Sequence, residues 1–135
     1  MSFETVAQTV IFNILSGDAG VSSLVTGVYD SVPETQKFPY IVVGEDDVNE
    51  WDTSSTFGAD IVCTISIWSR DRGKKETKEI QGKIYEALHT QQDSAIFSGY
   101  DVVSIVWQNS TSFLESDGLT RHGISTFRLL IDKEG

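Results

Sequence analysis

From Phe57 to Trp68 the chain alternates: Phe57, Ala59, Ile61, Cys63, Ile65 and Ile67 fall on one side of an extended backbone, and Gly58, Asp60, Val62, Thr64, Ser66 and Trp68 on the other. Successive side chains of a strand point to opposite faces, so this run is a strand with one apolar and one mixed face. The apolar face needs a cover, and two segments of helical period can supply it. In the first, Glu4 to Leu15, the residues Val6, Val10, Ile11, Ile14 and Leu15 form one stripe. Ser2 is placed to cap it, and Glu4 puts negative charge in the first turn. The second segment starts after Asp71 and repeats Ile80, Ile84 and Leu88 at every fourth position, with Ala87 beside them. Its other faces are charged, and Glu79 with Lys83 stands in the favourable i, i+4 order. Gly82, about 1 kcal/mol worse than alanine in a helix interior, marks a close approach to a strand.

The remaining segments read as strands and turns. Asp18 can cap a short second turn of helix through Leu24 and Val25, ended by Gly27. Val28 to Val32 reads as a short strand and Phe38 to Val43 as a longer one, with Pro39 near its start. The segment Glu45 to Ser55 breaks the alternation and reads as a loop. Tyr100 to Gln108 is apolar on both faces, as in a central strand. Thr111 to Ser116 and Leu119 to Ile131 flank Asp117-Gly118, the dipeptide suited to a two-residue type I′ hairpin turn. The polar stretch 90–99 reads as a short loop. The order of elements gives an α+β fold: an antiparallel sheet of four or five strands with two main helices packed on one face.

A chain of 135 residues with no repeat or linker is expected to form a single domain, 1–135. A domain of this size buries roughly two-thirds of its unfolded surface and needs no staple. The one cysteine agrees, since a single thiol forms no internal bridge. No apolar run approaches the roughly 20 residues of a spanning helix, and the first residues carry no basic region, so neither membrane attachment nor export is expected.

Ten Lys and Arg against 20 Asp and Glu leave a formal charge of −10. That balance opposes an electrostatic grip on a phosphate backbone. The charge is also uneven: residues 1–60 hold ten acids and Lys37 alone, whereas residues 61–90 hold six bases and four acids. The densest constellation is Glu45-Asp46-Asp47-Val48-Asn49-Glu50-Trp51-Asp52. It lacks the glycine and the final glutamate that shape a calcium-binding EF-hand loop. A charge run is ordinarily a solvated face. Trp51 inside it is either a partner contact, since tryptophan is enriched at interface hot spots, or a ring packed over the sheet edge.

Catalytic and cofactor motifs are missing. Glycine-rich phosphate loops and the Gly-x-Ser-x-Gly elbow are absent. His89, His122 and Cys63 lack the close ligand pairs of a zinc site. Catalytic, cofactor and metal residues are therefore expected to be none.

Several segments in order resemble the phage tail-completion, or tail terminator, family. They are Val28-Tyr29-Asp30-Ser31-Val32-Pro33, Phe38-Pro39-Tyr40-Ile41-Val42 and Ile67-Trp68-Ser69-Arg70, then the helix Glu79 to Leu88 and the closing Asp117-Gly118-Leu119-Thr120-Arg121-His122-Gly123. The similarity spans about residues 10 to 131. It implies a non-enzymatic virion protein with an α+β sandwich fold. Such a protein forms a ring, usually of six copies, that sits on the finished tail tube, stops its polymerisation and offers the surface to which the head is joined. The implied partners are further copies of itself, the tail tube protein and a head-side connector or stopper, with genome DNA passing unbound through the lumen. The implied location is the tail–neck junction of the virion, after assembly in the host cytoplasm. The loop between the Pro-Tyr and Trp-Ser strands corresponds to Glu45 through Phe57, which makes Glu45, Asp46, Asp47, Glu50, Trp51 and Asp52 the expected partner interface. A neighbouring neck protein, such as a head-completion ring, is the alternative within phage structure. The charge alone would also suit an acidic DNA mimic, and the acidic run alone a small carboxylate enzyme.

Overall fold

The computed structural model describes residues 2–89 and 99–133. The loop read at 90–99 therefore lies outside the described residues, apart from Gly99. The elements run α1 (Phe3–Gly17), α2 (Ala19–Ser22), β1 (Val28–Tyr29), β2 (Tyr40–Glu50), β3 (Phe57–Ser69), α3 (Lys75–Leu88), β4 (Tyr100–Leu114) and β5 (Arg121–Lys133). The five strands form one sheet in the order β1-β2-β3-β5-β4. Every pairing is antiparallel except that of the two-residue β1, which runs parallel to β2.

The alternating segment from Phe57 to Trp68 forms the middle of the sheet. Along β3 the residues Ala59, Ile61, Cys63, Ile65 and Ile67 are buried. They meet the buried Phe127, Leu129 and Ile131 of β5 and Ile41 and Val43 of β2. Both main helices lie on this side. The α1 stripe contributes Val6, Ala7, Val10, Ile11 and Leu15, and α3 contributes Ile80, Ile84, Ala87 and Leu88 to the same cluster. At the cap, Ser2 Oγ accepts the Thr5 N–H at 3.1 Å, and Asp18 Oδ2 accepts the Val21 N–H at 2.9 Å to start α2.

Several sequence expectations are corrected. The Tyr100 segment is an edge strand, not a central one. Val102 and Ile105 are buried under the helices, while Val106, Trp107, Phe113 and Leu114 stay more than a third exposed. Apolar side chains on both faces thus do not require a neighbour on both edges. Register shifts after Val102 and after Trp107 distort the ladder along this edge, a common device against unwanted strand pairing. On α3 the ion pairs are Lys75 with Glu79 at 3.6 Å and Lys83 with Glu86 at 3.2 Å, so Lys83 turns toward Glu86 and away from Glu79.

Gly82 does not sit against a strand, because a Cβ built there meets nothing within 4 Å. The close approach is made from the sheet side instead. A Cβ on Gly123 of β5 would stand 2.7 Å from Thr77 Cγ2 and 3.1 Å from Gln81 Nε2 of α3. The helix rests on the strand where the strand has no side chain.

Candidate assembly surface at the two ends of the sheet

Strand register puts the two long hairpins at opposite ends. Phe57 pairs with Lys133, and Ser69 pairs with Arg121. The β2–β3 tip therefore projects from one end of the sheet and the β4–β5 tip from the other. The charges separate in the same way. Glu50, Asp52, Asp101 and Asp132 crowd the first end with Lys133, whereas Arg70, Arg72, Lys74 and Arg121 gather at the second around Asp71, Glu115 and Asp117.

The acidic run is mostly strand rather than loop. β2 continues through it to Glu50, across a register shift between Val43 and Asp46. Glu45 takes a positive φ of 65° at that bulge, a conformation few non-glycine residues adopt. A bulge inserts an extra residue and lets pairing resume, which is why the break in alternation at Gly44 does not end the strand. Asp46, Val48 and Glu50 then stand opposite Cys63, Ile61 and Ala59, so they share the helix-side face beyond the reach of the helices. Asp47 and Asn49 face the other way, with Asn49 Nδ2 donating to Asp47 Oδ2 at 3.4 Å.

The six residues expected to form a partner interface are thus not on one surface. Glu45, Asp46, Asp47 and Glu50 are exposed but divided between two faces. Asp52 is exposed as well but reaches across its own hairpin, its Oδ1 accepting the Gly58 N–H at 3.0 Å, and its own N–H donates to Glu50 Oε1 at 2.6 Å. Trp51 is half-buried against its own hairpin: its N–H donates to the Gly58 carbonyl, and a Cβ on Gly58 would collide with its carbonyl oxygen and stand 3.0 Å from its ring. The tip's exposed aromatic is Phe57, 62% accessible.

At the far end, the Asp117-Gly118 turn is longer than the expected two residues. β4 stops at Leu114 and β5 starts at Arg121. The Glu115 carbonyl accepts the Gly118 N–H, and the Glu115 N–H donates to the Thr120 carbonyl. Gly118 takes the positive φ of 70° that this loop requires. Asp117 organises it by accepting from the Leu119 N–H, the Thr120 N–H and the Thr120 hydroxyl at 2.7–2.8 Å. The hydroxyl bond first, and then the two amides, hold the Asp117 carboxyl down at about 2.

Between this turn and the connection leading into α3 lies a pocket of about 380 Å³ lined by Arg70, Asp71, Arg72, Leu114, Gly118, Leu119 and Arg121. Arg70 Nε donates to Thr120 Oγ1 at 2.9 Å, and its guanidinium sits 4.7 Å above the Phe38 ring. Arg121 donates to the Arg72 carbonyl through Nε and Nη2 at 3.3 and 3.1 Å. Leu119 is 62% exposed on the rim. Sequence reasoning passed over this pocket. Its signal was the run Arg70-Asp71-Arg72-Gly73-Lys74-Lys75, which reads as an ordinary lead into a charged helix until the hairpin places Leu114, Leu119 and Arg121 beside it.

The histidines and the thiol have structural positions. His122 stacks on Trp68 and its Nδ1 stands 2.9 Å from Glu115 Oε1. His89 Nδ1 accepts the Trp107 N–H at 3.1 Å and its ring stacks on Tyr85. Cys63 is buried and free. Burial, helped by the nearby Asp46 charge, pushes its thiol up and keeps it protonated. Among the described residues no three His, Cys, Asp or Glu side chains converge on a metal position.

Comparisons with known proteins agree with this architecture. A protein chain in the virion of the native gene transfer agent (GTA) particle superposes with a TM-score of 0.86, covering 97% of this chain and 99% of that one at 22% identity. The gp17 protein of bacteriophage SPP1 superposes with a TM-score of 0.56 over 93% of this chain and 88% of that one, at 20% identity. In sequence, the tail completion protein gp17 of Bacillus phage SPP1 is 27% identical over 109 residues, which is 81% of this chain and 79% of the relative. The sequence profile of the family described as tail completion protein gp17 matches residues 9–132. The chain thus belongs to the tail completion protein gp17 family, a family of phage structural proteins and not of enzymes.

Proposed function

We propose that copies of this protein form a ring, with the whole chain 1–135 acting as one tail-terminator-like domain, that caps the phage tail tube. In this reading the ring ends tube polymerisation and presents the surface to which the filled head is joined. Its partners are further copies of itself, the tail tube protein and a head-side connector or stopper. It is assembled in the host cytoplasm and sits at the tail–neck junction of the virion. The observation that carries the reading is the family match across residues 9–132. The extended acidic hairpin from Glu45 to Asp52 is proposed as partner-facing. A ring of six carries six times the −10 of one chain, and a lumen of that sign repels DNA phosphates and lets the genome pass without sticking.

Electron microscopy of particles from the parent phage with this reading frame interrupted tests the proposal. Tails of uncontrolled length beside DNA-filled, tailless heads are the expected outcome. Tails of normal length that fail to join heads would move the protein to the neck. Intact infectious particles would overturn the structural role.

A further inference from the structure

The two ends of the sheet are complementary surfaces that one chain cannot bring together. The helix-side face of the β2–β3 tip combines exposed Val48 and Phe57 with the carboxylates of Asp46 and Glu50. The pocket at the opposite end combines exposed Leu114 and Leu119 with the cations of Arg70, Arg72 and Arg121. The acids near the pocket are already engaged. Asp117 is held by Thr120 and Leu119 and lies 3.9 Å from Arg70 Nη2, Glu115 is held by His122, Glu76 by the Ser69 hydroxyl, and Asp71 by the Arg72 N–H. Arg72 and Lys74 form no ion pair among the described residues. At the acidic tip, no cation pairs with Asp46, Asp47 or Glu50 among the described residues.

β3 separates the two surfaces along its 13 residues, roughly 40 Å of strand. We infer that the acidic β2–β3 tip of one copy docks into the arginine-rimmed pocket between Arg70, Leu114 and Arg121 of the next copy. This deepens the proposed ring and rests on that reading. An apolar centre ringed by charges is the anatomy of a specific interface, in which the buried anchor supplies affinity and the opposed charges set register. Phe57 is the anchor, meeting Leu114 and Leu119. Glu50 and Asp46 face the guanidinium groups, whose planar fork suits paired contacts with carboxylates. The contact is head-to-tail. Each copy therefore keeps one free tip and one free pocket until a closed ring uses them all.

Charge swapping tests this with the full-length chain. Asp46→Lys with Glu50→Lys makes the docking face of the tip basic, and Arg72→Glu with Arg121→Glu makes the pocket acidic. Each variant alone sets like charges against each other and is expected to weaken self-association, read by sedimentation velocity, by about tenfold or more. Mixed one to one, the two variants can alternate around a ring, and every contact then regains opposite charges. Assembly in the mixture to the size of the wild-type particle is the expected result and also shows that both variants fold. A mixture no better than its components, or single variants that assemble like wild type, overturns the contact. So does a wild-type chain that stays monomeric up to about 1 mM. Rescue by mixing alongside normal tails in the interrupted phage would keep the contact and discard the tail-completion role. Failed rescue alongside uncontrolled tails would do the reverse.

Discussion

His122 lies flat on Trp68, with ring centroids 3.8 Å apart and 16° between the planes, across a register pair of β3 and β5. The pair sits on the sheet face turned away from α1 and α3, where Phe113 completes the cluster at 5.2 Å from the His122 ring. Stacked rings contribute about 0.5–1.5 kcal/mol beyond the area they bury. A double-mutant cycle of Trp68→Ala and His122→Ala, followed by urea unfolding, is expected to return a coupling energy in that range. Strictly additive losses would mean that the rings merely share a surface.

The two glycines at α3 predict opposite outcomes for the same substitution. Gly82 is exposed and a Cβ there is unopposed, so Gly82→Ala should stabilise the protein by about 1 kcal/mol through helix propensity. Gly123→Ala places a methyl 2.7 Å from Thr77 Cγ2 and should destabilise by about 1–3 kcal/mol through overpacking. Thermal or urea unfolding of both variants decides the matter, and equal signs would contradict the geometry.

Asp117 makes stability depend on acid. Its folded pKa, about 2, lies below the ordinary 3.8. Its contribution is therefore complete above about pH 4 and is lost as pH falls through 2. Asp117→Asn should lower the urea midpoint at pH 6 and flatten its decline between pH 4 and pH 2. A variant whose midpoint falls with acid as steeply as the wild type would show that other carboxylates govern the limb.

Cys63 is fully buried and its thiol is pushed up chiefly by desolvation. The thiolate is the reactive form, so labelling by a disulfide reagent at pH 8 should proceed only as fast as the chain opens. Labelling should accelerate with urea in step with unfolding. Asp46→Asn, which removes the smaller cause, should leave the native rate nearly unchanged. Rapid labelling of the native protein would place the thiol at the surface.

The central strand, both main helices and the Ser2 cap of α1 were legible because each depends on a local pattern: the alternation from Phe57 to Trp68, the repeat of Ile80, Ile84 and Leu88 at every fourth position, and Ser2 before an apolar stripe. What was not legible depends on contacts between segments distant in sequence. The bulge at Glu45 hides the continuation of β2, because alternation restarts out of phase and the restarted residues are acids. The edge position of β4 is set by which strand β5 chooses as its second neighbour, and the residues of β4 do not encode that choice. Gly82 and Gly123 look alike in the sequence, and only packing distinguishes the one that admits a helix. The acidic half of the candidate surface was visible as a run, although as a loop. Its basic counterpart was not, because Arg70 and Arg121 lie 51 positions apart and meet only through the closing hairpin.

The continuous pairing of β3 with β5, from Phe57↔Lys133 to Ser69↔Arg121, also has a mechanical meaning. A pull applied along the strand axis between the two tips loads that ladder in shear, so its hydrogen bonds share the force and must fail together rather than unzip one at a time. Sideways peeling at β4, an edge with a single neighbour and two register shifts, meets the bonds singly. The fold is therefore a stiff strut in the direction that joins its two charged ends and compliant across it.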